Sequence, residues 1–236
     1  MTDGTTILLT GASSGIGLAT AQKLLPLGYR VVGLSRRNKV DQIEHEAFIP
    51  ISVDLSDINQ AAVTLQSLLH QYDFEALVHA AGAGHFGSIE QFSIAQIESS
   101  LRINLTSAML LSRALIPGMR KRGAGQLVFL GSEAALTVGK KGALYSAAKF
   151  GLRGFTQALR ADCAVDGIRV SLINPGMVRS PFFDDLDFRP GLAVENAVEV
   201  DDVALLITQI LQSSKDIVID EINLSPRIKS IDFRRK

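Results

Sequence analysis

Residues 5–28 read TTILLTGASSGIGLATAQKLLPLG, and their reading decides the fold. Residues 5–10 are a short apolar run closed by Gly11, as in a buried strand. From residue 15 to residue 27 apolar positions recur at helical spacing, and Gly28 stands where a helix stops. The turn between them, Thr10-Gly11-Ala12-Ser13-Ser14-Gly15-Ile16-Gly17, is rich in glycine. Glycines let a backbone approach a pyrophosphate closely, and a helix amino terminus offers free N–H groups and the positive end of its dipole. The spacing is GxxxGxG rather than GxGxxG, so the loop draws its weight from the strand before it and the helix after it.

Outward from this unit the pattern repeats. Residues 30–35, 48–53, 75–79, 126–130, 168–173 and 216–222 read as further strands. Residues 57–71, 93–121, 143–165 and 201–211 read as helices, and the third of these strands is followed by the small-residue turn Ala80 to Gly84. Residues 177–198 are loop-like. About seven strands alternating with about six helices predict an α/β fold, a doubly wound, Rossmann-like parallel sheet with helices on both faces. Without a repeat or linker, residues 1–236 are expected to form a single dinucleotide-binding domain.

The composition excludes several classes. Lys plus Arg and Asp plus Glu both total 24, so no charge field recruits nucleic acid or an anionic membrane. A single cysteine, Cys163, leaves no internal disulfide and no cysteine-based metal site, and no metal is expected. No apolar run reaches the ~18 residues of a membrane span, and residues 1–3 lack the basic start of a signal peptide. The expectation is a cytoplasmic protein, with residues 233–236 as a solvated tail.

Residues 131–151, GSEAALTVGKKGALYSAAKFG, carry the chemistry. Tyr145 and Lys149 are four apart, which on a helix stacks them one turn from each other. A fixed ammonium about 5 Å from the phenolate, at an effective dielectric of about 20, is worth roughly 3 kcal/mol, which lowers a phenol by about two pKa units. A YxxxK pair alone is ordinarily a solvated surface contact worth a few tenths of a kcal/mol. Ser132 changes that reading, because it follows the strand at 126–130 and so sits at a carboxyl end, where open α/β sheets bind ligands.

Arg36 and Arg37 follow the second strand, where an acidic residue would bind the ribose 2′-hydroxyl of NAD and arginine suits the 2′-phosphate of NADP. NADP (NADPH) is therefore the expected cofactor, the alternative being that one or both arginines face solvent. Phe182, Phe183, Leu186 and Phe188 crowd the long connection at 177–198, as a flap over a ligand or as an interface or core contact. Lys140 and Lys141 are read as a solvated loop.

In this combination the chain resembles the short-chain dehydrogenase/reductase family in its compact form, from Thr6 to about residue 211. Thr10 to Gly17 match its TGxxxGxG loop, and Asp54 stands at its adenine-contacting aspartate. Asn104, Ser132, Tyr145 and Lys149 fall on its four catalytic positions, and Pro175-Gly176-Met177-Val178-Arg179-Ser180 is similar to its PGxVxT stretch. The resemblance implies a cofactor site of Gly11, Ser13, Ser14, Gly15, Ile16, Gly17, Arg36, Arg37, Asp54, Leu55, Ala81, Gly82, Tyr145, Lys149, Pro175, Gly176, Val178 and Ser180. It further implies hydride transfer with a small-molecule carbonyl or alcohol: Tyr145 as acid/base, Ser132 bonding the substrate oxygen, Lys149 lowering the phenol and binding ribose, and Asn104 holding a proton-supplying water. A homodimer or homotetramer is what the family suggests.

The chain departs from the family at His79-Ala80-Ala81-Gly82, where the family has NNAG, and in lacking a glycine pair after the last strand. The rival from another class is a non-catalytic NADP-binding regulatory or assembly protein. A Ser132-centred hydrolase is excluded because Leu130-Gly131-Ser132-Glu133-Ala134 is no GxSxG elbow.

Overall fold

The computed structural model describes residues 4–36 and 43–234. Arg37 therefore lies outside the described residues. The elements run β1 (Thr6–Thr10), α1 (Gly15–Leu24), β2 (Arg30–Ser35), β3 (Phe48–Ser52), α2 (Ile58–Gln71), β4 (Ala76–His79), α3 (Ile94–Leu101), α4 (Ser107–Arg122), β5 (Gly125–Leu130), α5 (Ala143–Cys163) and β6 (Ile168–Pro175). They continue as β7 (Val178–Arg179), β8 (Phe188–Pro190), β9 (Val198–Glu199), α6 (Val200–Gln212), β10 (Glu221–Leu224) and β11 (Ile231–Phe233). Seven strands form one sheet in the order β10-β6-β5-β4-β1-β2-β3, with every pair parallel.

Period-two alternation within continuously apolar strands feeds two cores. On β1, Leu8 joins Leu77, Phe129, Leu111, Leu115 and Leu152 on the side covered by α2, α4 and α5. Ile7 and Leu9 join Val78, Ala21, Leu24, Val203 and Ile207 on the side covered by α1 and α6. Burial on both faces explains why these strands read as unbroken apolar runs. The order of connections reverses between β1 and β4, so a crevice opens at their carboxyl ends.

Several boundaries moved. The expected helix at 93–121 is two helices separated by a π-turn at Arg102–Thr106. The cause is local: Asn104 Nδ2 donates to the Ser100 carbonyl at 3.0 Å and Ser107 Oγ to the Ile103 carbonyl at 2.9 Å, so side chains compete for acceptors one turn back. The strand expected at 216–222 is Glu221–Leu224, because a turn closed by Ile217 N–H on the Ser214 carbonyl occupies 215–216.

Residues 177–198 are not loop throughout. β7 pairs parallel with β9, and β8 pairs antiparallel with β11. Phe233 stands opposite Phe188, and Arg234 N–H donates to the Asp187 carbonyl at 2.8 Å, so the backbone of the expected tail is paired at 233–234 while both side chains stay exposed. Residues 235–236 lie outside the described residues.

Candidate active site

The turn after β1 is shaped by backbone. Gly11 and Gly15 hold φ of +73° and +54°, the left-handed region that favours glycine. A Cβ on Gly17 would lie 2.2 Å from the Gly11 carbonyl oxygen, so the helix packs against its own turn only with glycine there. Gly11 N–H donates to the Leu34 carbonyl at 2.9 Å, and Ala81 N–H donates to Thr10 Oγ1 at 2.9 Å. Two carboxyl ends are thereby tied together.

Helix α1 begins at Ser14 with no side-chain cap and no acidic residue in its first turn. Its leading N–H groups and dipole are left available to an anion. The groove in front of it, about 390 Å³, is lined by Gly11 and by Ser13, Ser14, Gly15, Ile16 and Gly17 at one end and by Arg36, Asp54 and Leu55 further along. Ala81, Gly82 and Ser180 form its other side. Asp54 Oδ1 accepts from Ser56 N–H at 2.9 Å and Ser56 Oγ at 2.8 Å, which fixes the loop after β3. Uncapped helix, bare turn and distal guanidinium fit an elongated diphosphate ligand. Pro175, Gly176 and Val178 instead line a second, adjoining cavity of about 730 Å³, which Ser180, Gly82 and Ile16 also reach.

Ser132, Tyr145 and Lys149 meet on the wall of that second cavity. Lys149 is buried, its Nζ 5.7 Å from the Tyr145 ring centroid, and it donates to the Leu130 carbonyl at 2.9 Å. Tyr145 is 7% exposed. Burial pushes its phenol up to about 12, with a hydrogen bond from Ser132 opposing and the Glu133 charge adding to the rise. The expected lowering by Lys149 is thus reversed here. The same burial brings the Lys149 ammonium down to about 8, and its charge is directed at the Leu130 carbonyl rather than the phenol oxygen.

Asn104 is fully buried, with Nδ2 donating to the Ala83 carbonyl at 2.9 Å and to the Ser100 carbonyl, and Oδ1 accepting from Ala83 N–H at 3.2 Å. Both amide hydrogens are committed to backbone, so the side chain clamps the turn after β4. His79, at the departure from NNAG, is fully buried, and burial and then the Lys149 charge hold it neutral at about 3. Its Nε2 lies 2.9 Å from Ser107 Oγ, whose hydrogen goes to Ile103; the ring therefore donates through Nε2, and Nδ1 is left without a partner.

Asn174, just past the strand expected at 168–173, holds the serine. Its Oδ1 accepts from Ser132 N–H at 3.3 Å, and its Nδ2 donates to Glu221 Oε1 at 2.7 Å and Asn223 Oδ1 at 2.9 Å. Glu221 in turn binds Arg153 of α5 at 2.9 Å. Serine turn, edge strand and the helix carrying Tyr145 are thereby joined. Among the described residues no cluster of metal-ligating side chains is found, and no helix is long and apolar enough to cross a membrane.

Sheet order, switch point and uncapped glycine turn define a dinucleotide-binding α/β protein. More specifically, the chain belongs to the short chain dehydrogenase family, whose model matches residues 5–188. It is 31% identical over 189 residues to a D-beta-hydroxybutyrate dehydrogenase of Cupriavidus necator, covering 77% of this chain and 73% of that one. It is also 31% identical over 185 residues to an uncharacterised oxidoreductase of Escherichia coli (strain K12), covering 77% and 68% respectively. A metagenomic short-chain oxidoreductase solved in complex with NADP superposes with a TM-score of 0.83 at 29% identity, covering 97% of this chain and 99% of that one.

Proposed function

We propose that this chain is an NADP-dependent oxidoreductase that interconverts a carbonyl and an alcohol, with Tyr145 as the acid/base. The observation that carries the reading is Ser132, Tyr145 and Lys149 on one cavity wall, beside a groove whose helix terminus is uncapped. NADP preference rests on Arg36, which lines the groove beyond β2. When bound, the dinucleotide supplies or accepts the hydride.

The residues do the rest. A phenol near 12 is protonated at neutral pH and able to give its proton to a carbonyl oxygen. Ser132, hydrogen-bonded to the phenol, is placed to donate to the same oxygen as negative charge grows there. Lys149 holds a cation one helical turn away, where it attracts the phenolate left after transfer. Asn104 fixes the Ala83 backbone and so the shape of the turn. At neutral pH the resting phenol carries the proton that the reductive direction consumes, and the same groups run the reverse step.

The test is Tyr145→Phe. NADPH-dependent turnover should fall by about 10³-fold, while NADPH binding by calorimetry changes less than about threefold. Turnover within a few-fold of the parent would refute the assignment.

A further inference from the structure

Around the Tyr145 phenol five rings close a circuit. Phe86 lies 5.1 Å from Tyr145 between centroids, Tyr145 5.8 Å from Phe182, and Phe182 5.1 Å from Phe183. Phe183 lies 5.7 Å from Phe188, and Phe188 4.9 Å from Phe86 at 88°, edge to face. The rings come from four parts of the chain: the turn after β4, helix α5, the stretch after β7, and β8. They pack on bare backbone, since a Cβ on Gly84 would sit 2.8 Å from Phe182 Cζ and 2.9 Å from Phe86 Cε2. Beyond them Ile231 and Phe233 of β11 extend the apolar wall of the same cavity.

Most charge is kept to the rim, Glu133 beside Ser132 being half-buried. Glu133 and Lys229 face each other at 2.9 Å, and the other charged lining groups, Lys140, Lys141, Asp185 and Asp187, are exposed. Among the described lining residues Lys149 is the only buried charged side chain, and it is held by the Leu130 carbonyl beneath Tyr145. Beyond the one oxygen that Ser132 and Tyr145 can hold, a small polar or anionic substrate entering here would give up water with few buried partners for its remaining polar groups. A flat apolar group would gain ring faces and edges.

Resting on the oxidoreductase reading above, we propose that the substrate is a ketone, or the matching secondary alcohol, with an aryl ring or similarly flat apolar group on its carbonyl carbon. In the reductive direction the bound dinucleotide would supply the hydride for the new C–H bond, the carbonyl π pair takes the Tyr145 proton, and the phenolate regains a proton from solvent. The products are the alcohol and NADP⁺. Phe86 and Phe188 grip the aryl group, and β11 closes the far side.

The experiment titrates the chain, saturated with NADP⁺, with acetophenone, hydroxyacetone and acetoacetate by calorimetry, and measures NADPH-dependent kcat/KM for each. Acetophenone should bind at least tenfold more tightly than either small compound and show at least tenfold higher kcat/KM. Phe188→Ala should shrink the acetophenone-to-hydroxyacetone ratio by about tenfold in both measurements. Hydroxyacetone or acetoacetate equal to or better than acetophenone overturns the substrate class while leaving the oxidoreductase reading standing. If none is turned over, the reductase reading fails, and the binding ratios alone still decide for or against the cage. A parent protein that does not favour acetophenone overturns it whether or not the variant folds.

Discussion

The groove in front of α1 and the cavity around Tyr145 meet at residues that include Ile16, Gly82, Ser180 and Phe182, yet they are built mainly from different materials. Where it meets α1 the groove is formed by glycines, small residues and an uncapped helix end, so recognition there is mostly backbone. The cavity is formed by aromatic and aliphatic side chains brought from distant segments. A backbone site is broken by adding atoms, and a side-chain site by removing them.

Gly17→Val tests addition and should have the largest effect. With the first added carbon 2.2 Å from the Gly11 oxygen, the turn must open, at a cost of about 3 kcal/mol or more. Dinucleotide binding should fall at least ~100-fold by calorimetry, together with a lower midpoint in urea. Near-normal binding would mean that the groove is not held by this contact.

Next comes removal at the floor of the cavity. Lys149 falls from 10.5 to about 8 on folding. Between those values the unfolded chain still carries a proton that the folded chain has released, so the Lys149 contribution to stability rises with pH through that window. Lys149→Met should lose about 10²-fold or more in turnover and show no such rise in urea midpoint between pH 8 and 10. A variant with the parent's slope would show that the buried amine is not its source.

Smaller effects probe the joints. Asn174→Ala leaves Ser132 N–H without its partner and Glu221 with Arg153 alone, and should cost about 1–3 kcal/mol. Its kcat should drop more than its NADPH affinity, since the groove is not touched. Arg36→Gln subtracts from the groove, where subtraction matters least. It should weaken NADPH by about tenfold and leave NADH unchanged, consistent with one lost charge-assisted contact of about 1.5 kcal/mol. Equal losses for both nucleotides would exclude a 2′-phosphate role.

The same contrast explains what could be read in the sequence. Glycine spacing in 11–17 and the Ser132, Tyr145, Lys149 intervals are local patterns, and their geometry follows from one strand and two helices. The short pairs β7–β9 and β8–β11 join residues far apart in the chain, and two or three residues carry too little alternation to announce a strand. The π-turn was hidden because 93–121 keeps helical spacing on both sides, while its cause is side-chain back-bonding by Asn104 and Ser107. The direction of the Tyr145 shift was missed for a different reason: a pairwise charge estimate contains no desolvation, and burial is the largest cause.

A π-turn is an α-helix with one residue too many. Deleting a single residue between 102 and 106 would let the segment wind as one regular helix, and the excised form would gain backbone regularity. It would also swing the face bearing Asn104 by about 100°, away from Ala83. Length polymorphism at this point is therefore not neutral: a shorter relative with an uninterrupted helix would have to fasten the loop after β4 by some other means.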